Sequence, residues 1–336
     1  MDGKNQNEVL SKREGLREKK LHRFEAEYKA DPAFPKELFI DITNACNHSC
    51  FFCTNPYTKT PKALIDADLT FRLIEEAANL GVSDIAFYST GEPFLHKDLS
   101  RFVAKAKECG IPYVFLSTNG ALVDPKRAKD VIDAGLDSIK FSVNGGSRES
   151  YRKVHGVDDF DKVLKNIKWV SDYRDISGKD FGIYVSCVEN SKNHGDWVVL
   201  KEVLSAYVDE FDHRDCSNQG GNMLVNNQTE SINPANLLGS LLPEQLGFRR
   251  CPDPFHRMTV TPQGFATACV VDYDNYLATT DLRNCSLKEA WESKLFKELR
   301  KKHLSGKLEG LICNNCLHND EGVCEPLNYD LCTPKS

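Results

Sequence analysis

Long apolar runs are missing from this sequence: no stretch approaches the roughly 18 consecutive apolar residues of a membrane-spanning helix. Its opening, MDGKNQNEVL, also lacks the apolar core of a secretory signal, so a cytoplasmic protein with no membrane partner is expected. An excess of positive charge is missing too. Lys and Arg number 43 against 49 Asp and Glu, the formal net charge is −6, and the basic residues are dispersed rather than striped. That pattern excludes the electrostatic footprint of a nucleic-acid binder and leaves a small molecule or a peptide as the expected partner. Apolar content is not scarce enough for disorder. At 40% hydrophobic, the 336 residues suffice for ordinary globular cores and give room for two domains.

Cysteine, by contrast, is abundant: there are 13. In a reducing compartment disulfides do not persist, so metal or redox chemistry is the leading explanation. Cys46, Cys50 and Cys53 crowd one short stretch, Cys109, Cys187 and Cys216 are scattered, and Cys251, Cys269, Cys285, Cys313, Cys316, Cys324 and Cys332 follow residue 250. Two metal-bearing regions are implied.

Residues 8–28 are charged with apolar positions at Leu10, Leu21, Phe24 and Tyr28, which predicts an exposed amphipathic helix ended by Pro32 and Pro35, an N-terminal extension over 1–36. From Glu37 short β-rich apolar runs at 37–42, 83–89, 112–118, 137–143 and 182–188 alternate with helical stretches at 68–80, 98–109, 125–134, 160–172 and 195–207, with a further strand at 208–212. Such alternation builds a parallel sheet or barrel, because each crossover helix must cover a sheet face. The expected fold is α/β, a partial (β/α)6 TIM-like barrel over 37–216. Polar clusters follow the first four strands: the cysteine stretch, Thr90-Gly-Glu-Pro93, Ser117-Thr-Asn-Gly120 and Ser142-Val-Asn-Gly145. In parallel barrels that rim is where chemistry is assembled. A single such cluster reads equally well as a turn.

The first three cysteines are spaced Cx3CxxC. Structural zinc is closed by four ligands, whereas only His48, inside the loop, lies nearby. A cubane [4Fe–4S] cluster held by three thiolates keeps one iron open for an exogenous ligand. Cys46-Asn-His-Ser-Cys50-Phe-Phe-Cys53 after a first strand resembles the signature of the radical S-adenosylmethionine (SAM) superfamily, and Thr90-Gly-Glu-Pro93 resembles that family's GGEP motif with Thr in place of the first Gly. The resemblance runs from about residue 37 to 215. It implies that Cys46, Cys50 and Cys53 hold a cluster whose open iron chelates SAM. It also implies that Gly91 and Glu92 hold the methionyl amine, and that Ser117, Asn119, Ser142 and Asn144 contact the carboxylate or ribose. Many relatives have Ser-Ile-Asp-Gly at the last of these segments, where Asn144 stands here.

A polar linker over 217–250, with Gly220-Gly221, leads to the second region, 251–336. There Cys251, an apolar run, a Pro262-Gln-Gly264 turn, Cys269, a helix opening at Ser286-Leu-Lys-Glu-Ala-Trp291, and Cys313-Asn-Asn-Cys316 predict a small cysteine-rich hairpin-plus-helix domain. Four thiolates serve zinc and iron–sulfur alike. The spacing C-x12-G-x4-C with a distant CxxC resembles the SPASM or twitch extension of radical SAM enzymes. That resemblance implies an auxiliary [4Fe–4S] cluster on Cys251, Cys269, Cys313 and Cys316, closed by four ligands and suited to electron transfer. The tail departs from the full SPASM pattern. A second cluster from Cys285, Cys324 and Cys332 is conceivable, and two unligated tail thiols are the plainer reading. Cys109 and Cys187 read as small buried hydrophobes. Cys216, among His213, Arg214, Asp215 and Asn218, is a candidate hydrogen-atom donor to a substrate radical, and Tyr151, Arg152 and His155 read as a solvated helix face or a substrate contact.

Three readings follow. A radical SAM oxidoreductase would oxidise a carbohydrate-like or amino-acid-derived substrate and pass the electron to the auxiliary cluster, as in the aminocyclitol dehydrogenases and sulfatase-maturing enzymes that the chain resembles. A peptide-modifying enzyme would crosslink or epimerise, and would be expected to carry a leader-binding domain, of which nothing precedes Glu37 but one helix. The third is a non-catalytic iron–sulfur or zinc binding module. The resemblance further implies a flavodoxin- or ferredoxin-type reductant.

Overall fold

The β-rich runs and amphipathic stretches form the alternating elements that their periods predict. The structure is a computed structural model that describes residues 27–225 and 250–332. Most of the helix expected at 8–28 and most of the linker expected at 217–250 lie outside the described residues. The elements are β1 (Glu37–Ile40), α1 (Ala67–Asn79), β2 (Asp84–Ala86), α2 (Leu99–Glu108), β3 (Tyr113–Thr118), α3 (Pro125–Asp133), β4 (Ser138–Ser142), α4 (Arg148–His155), α5 (Phe160–Ser177), β5 (Gly182–Glu189), α6 (Asp196–Leu204) and β6 (Glu210–Asp215). Consecutive strands pair in parallel. Leu38, Ile85, Val114, Ile139 and Ile183 are fully or almost fully buried, as expected where both faces of a parallel sheet are covered.

Local chemistry starts the helices. Asp66 accepts the Leu69 amide at the head of α1, Asp124 accepts those of Lys126 and Arg127 ahead of Pro125 in α3, and Ser147 and Ser150 cap one another at α4. Each cap contributes about 1 kcal/mol. α4 lies between the fourth strand and its crossover helix, and its Tyr151, Val154 and His155 are buried. For Tyr151 and His155 this replaces the solvated-face reading: they point inward, onto the cysteine loop.

The C-terminal region does not make a sheet of its own. β7 (Arg257–Val260) runs parallel to β1, pairing Leu38 with Met258 and Ile40 with Val260; β8 (Phe265–Thr267) adds antiparallel to β7, and β9 (Ala278–Asp281) antiparallel to β8. The result is one nine-stranded sheet in the order β6-β5-β4-β3-β2-β1-β7-β8-β9. β7 occupies the edge of β1 that an unclosed barrel would leave unpaired. The helix expected from Ser286 divides at Ser293 into α7 (Leu287–Trp291) and α8 (Lys294–Ser305), because Ser293 caps α8 through the Phe296 amide. α9 (Ile312–His318) carries the CxxC pair. Among the described residues, no helix is long and apolar enough to cross a membrane.

Candidate metal centres

The first cysteine set lies just past the C-terminal end of β1, on a loop with little regular structure of its own. Its backbone groups bond to neighbouring elements instead. The amides of Ser49 and Phe51 donate to the carbonyls of His155 (3.2 Å) and Val154 (2.7 Å), so the loop satisfies carbonyls that the end of α4 leaves without a helical partner. On the other side Glu92 N donates to Ala45 O at 2.8 Å. Glycine is needed at both contacts. A Cβ on Gly91 would stand 2.1 Å from Thr43 O, and one on Gly156, whose φ is 74°, would stand 2.3 Å from Ser49 Oγ.

Glu92 is 2% exposed, and its carboxylate accepts from Phe94 N (3.1 Å), the Thr118 hydroxyl (2.7 Å) and Asn119 N (2.8 Å). Burial pushes its pKa up, and those three donors oppose the shift. The carboxylate thus ties the loop after β2 to the loop after β3. Asn119 donates to Asn47 Oδ1 at 2.8 Å and approaches Cys46 Sγ at 3.9 Å, which brings the third-strand loop to the cysteines. Ser117 and Ser142 sit half-buried in β3 and β4, in register with Lys140 and Ser186. Asn144 is bound on every side. Its Oδ1 accepts from Val188 N, its carbonyl from Asn193 Nδ2, and its amide nitrogens face His155 Nε2.

Burial raises all three thiols, Cys46 to about 12 with Glu92 adding to the shift. Thiols so placed ionise only if a cation compensates them. Several neighbours of the sulfurs lack any motif of their own. His155 Nδ1 is 3.5 Å from Cys50 Sγ, Tyr273 OH is 3.6 Å from Cys53 Sγ, and Asn55 N donates to Cys53 Sγ at 3.4 Å. Cys216, 2% exposed, packs with Phe52, Val154, Val188 and Met223 in an apolar patch that Cys50 adjoins.

The second set converges from separate elements. Cys251 precedes a helical turn at Asp253–His256, Cys269 follows β8, and Cys313 and Cys316 sit on α9. Burial raises every one of these thiols, Cys316 to about 12; Cys251 is raised further by Asp253, Cys316 and Cys269, and Cys313 by Cys316. Cys324 adjoins this set, feeling Asn315 Nδ2 at 3.0 Å and adding to the shift at Cys313. Cys285 and Cys332 face carbonyls, of Asp281 at 3.5 Å and of Asp274 at 3.2 Å. The residues after Cys269 reach back to the first set. Besides the Tyr273 contact, Asp274 Oδ1 accepts from Lys59 N (2.8 Å), Thr60 N (2.9 Å), Thr60 Oγ1 (3.1 Å) and the Thr58 hydroxyl.

Among the described residues, the group of three candidate ligand atoms lying within 4.8 Å of one another is His48, Cys50 and His155. Neither cysteine set is drawn together as a mononuclear tetrahedral zinc requires, with sulfurs about 3.8 Å apart. Part-buried thiols of which no three, and no carboxylate with them, gather within 4.8 Å fit the larger cubane cluster.

The sequence profile of the Radical SAM superfamily matches residues 40–185, and that of an iron-sulfur cluster-binding domain, SPASM, matches residues 251–317. A probable GTP 3',8-cyclase of Saccharolobus islandicus is 34% identical over 133 residues, which is 40% of this chain and 42% of that protein. The chain therefore matches about two-fifths of that relative's length. Three solved structures share the fold. BtrN in complex with AdoMet and 2-DOIA is 19% identical, with a TM-score of 0.57 over 90% of this chain and 100% of that one. SuiB of Streptococcus suis, bound to the precursor peptide SuiA, is 17% identical, with a TM-score of 0.64 over 96% and 79%. Native anSMEcpe with bound AdoMet is 17% identical, with a TM-score of 0.55 over 84% of this chain and 88% of that one.

Proposed function

We propose that this chain, a radical SAM enzyme with a SPASM iron–sulfur domain behind its radical SAM domain, oxidises a small carbohydrate-like or amino-acid-derived substrate by two electrons. When bound, a cluster on Cys46, Cys50 and Cys53 and its SAM ligand supply a 5'-deoxyadenosyl radical, and a cluster on Cys251, Cys269, Cys313 and Cys316 supplies an electron acceptor. The chain's own residues position and enclose these groups. Gly91 lets the Gly-Glu-Pro backbone lie directly on the cysteine loop, where its carbonyl groups are candidates to accept from the methionyl amine. Ser117, Ser142 and Asn119 are the side chains assigned to the SAM carboxylate and ribose. Glu92 and Asn144, whose polar atoms are taken up internally, act by holding the rim loops in place. The reductant in this reading is a flavodoxin- or ferredoxin-type protein.

The observation that carries this reading is the segment 269–274, which begins at a thiol of the second set and ends with Tyr273 against Cys53 and Asp274 against residues 58–60. In this reading an acceptor on the second set is joined to the first by one short stretch, half-buried at residues 269–271 and buried at residues 272–274. The test is anaerobic turnover with aminocyclitols, sugars and amino-acid derivatives. A product lighter by two hydrogens, formed with one deoxyadenosine each, is expected; in a Cys313→Ala/Cys316→Ala variant deoxyadenosine persists and the oxidised product is lost. Oxidation surviving in that variant refutes the acceptor role.

Cys216 favours a second reading, epimerisation, since its thiol lies in the apolar patch that Cys50 adjoins. Deuterium from solvent at a product carbon, absent with Cys216→Ala, supports it; no deuterium in the product dismisses it. The match to the Radical SAM superfamily supports an enzyme over a non-catalytic binding module.

A further inference from the structure

Two histidines meet at the cysteine loop, His155 of α4, fully buried, and His48 of the loop itself, nearly so. Their hydrogen-bond partners decide which ring nitrogens carry protons. His155 Nε2 is approached by the backbone amide of Asn144 at 3.0 Å and by its side-chain nitrogen at 3.3 Å. The orientation of that side chain is fixed, because its Oδ1 accepts from Val188 N at 2.7 Å. Faced by two donors, Nε2 must be an acceptor, so the single proton of the neutral ring is on Nδ1. His48 is set in the same way. Its Nε2 lies 3.3 Å from Asp159 Oδ2 and donates to that carboxylate, which leaves Nδ1 as an acceptor.

The proton on His155 Nδ1 therefore has two acceptors before it, His48 Nδ1 at 3.2 Å and Cys50 Sγ at 3.5 Å. The same three residues have the spacing of a small-ion site. A protonated Nδ1, however, has no lone pair to give a metal, and the arrangement is that of a donor aimed at a sulfur. We infer that His155 is a positioning residue that donates a hydrogen bond to the Cys50 thiolate, and so raises the reduction potential of the cluster held there. A donor at a ligating sulfur withdraws electron density and favours the extra electron of the reduced cluster, one of the means by which proteins set such potentials. His48 shares that proton, and so moderates the effect. This inference rests on Cys50 being a ligand of the SAM-binding cluster.

The test is an EPR-monitored redox titration of the reconstituted full chain, with and without SAM, which marks the open-iron cluster by changing its signal. His155→Leu is expected to shift the midpoint of the SAM-responsive cluster to a more negative value. His155→Asn, whose amide nitrogen takes the place of Nδ1, is expected to keep it near that of the native chain. His48→Phe, which removes the competing acceptor, is expected to shift it the other way. Equal potentials in the native, Leu and Asn chains, or equal shifts in both substitutions, overturn the inference. Should the Leu chain fail to retain iron, an unchanged or lowered potential in His48→Phe overturns it independently. A native chain in which SAM alters no cluster signal refutes the assignment of Cys50 itself, and the inference falls with it.

Discussion

Cys46, Cys50 and Cys53 belong to one loop, whereas Cys251, Cys269, Cys313 and Cys316 arrive from a helical turn, a strand end and a helix far apart in the chain. The local set has little chain-closure entropy to overcome, but it must hold an irregular loop whose amides have no ladder to join. It does so with side chains from elsewhere: Asn55 Nδ2 donates to the carbonyls of Asn44 and Thr90, Asn119 reaches Asn47, and α4 presents its terminal carbonyls. The distant set is scaffolded too, with Asn218 Nδ2 donating to Cys316 O and Asn222 Nδ2 to Val271 O, both at 2.9 Å, but two of its cysteines sit on a helix and a third follows a strand. Its ordering cost is met by burial and by the sheet that carries it. A short motif thus depends on its neighbours to satisfy its loop, and a dispersed one depends as well on the fold that brings its pieces together.

The largest effect that separates the two regions is expected from Cys46→Ala/Cys50→Ala/Cys53→Ala: deoxyadenosine formation falls to background while roughly half the iron and its absorbance remain, at about four irons per cubane. Loss of all iron would mean that the second set depends on the first. Gly91→Ala drives a Cβ into Thr43 O, and should destabilise the apo-protein by about 3 kcal/mol in chemical unfolding; an unchanged midpoint would show that the loop yields freely. Next comes the bridge between regions. Asp274→Ala leaves the amides of Lys59 and Thr60 without their acceptor, with an expected cost of about 2 kcal/mol and faster proteolysis near residues 58–60, whereas Asp274→Asn retains an acceptor and much of the stability.

The smallest effect is one of pH. Burial lifts Asp41 from 3.8 to about 7, against the opposing hydrogen bonds from Thr90. The folded chain therefore holds a proton that the unfolded chain releases. The associated stability is present below about pH 4 and is lost as pH rises to about 7. The unfolding free energy of the metal-free protein in urea should fall between pH 5 and pH 7 by an amount on the order of 1–2 kcal/mol, and Asp41→Asn should flatten that slope. An equal slope in the variant would assign the dependence to other groups.

Much of the barrel was legible because each strand and helix has its own period: Leu69, Leu73 and Ala77 mark the buried face of α1 whatever surrounds it. The cysteine spacings were legible for the same reason, as local features of the chain. The buried face of α4 was hidden by its polar composition, RESYRKVH, in which Tyr151, Val154 and His155 are the inward positions. β9 was hidden by its polar sequence ATTD, only half of which is buried. Nothing in the sequence near His155, Tyr273 or Asp274 ties them to cysteines a hundred or more residues away.

The sequence by itself determined the element types, the two groups of thiols and the open-iron spacing, since these depend on side-chain period and separation along the chain. Only the tertiary structure decided that β7 continues the sheet at the free edge of β1, that Tyr273 meets Cys53, and that Asn144 and Asp159 orient the two imidazoles beside Cys50. Those are directional hydrogen bonds between residues distant in sequence, and their geometry exists only once the sheet has brought the rim loops together.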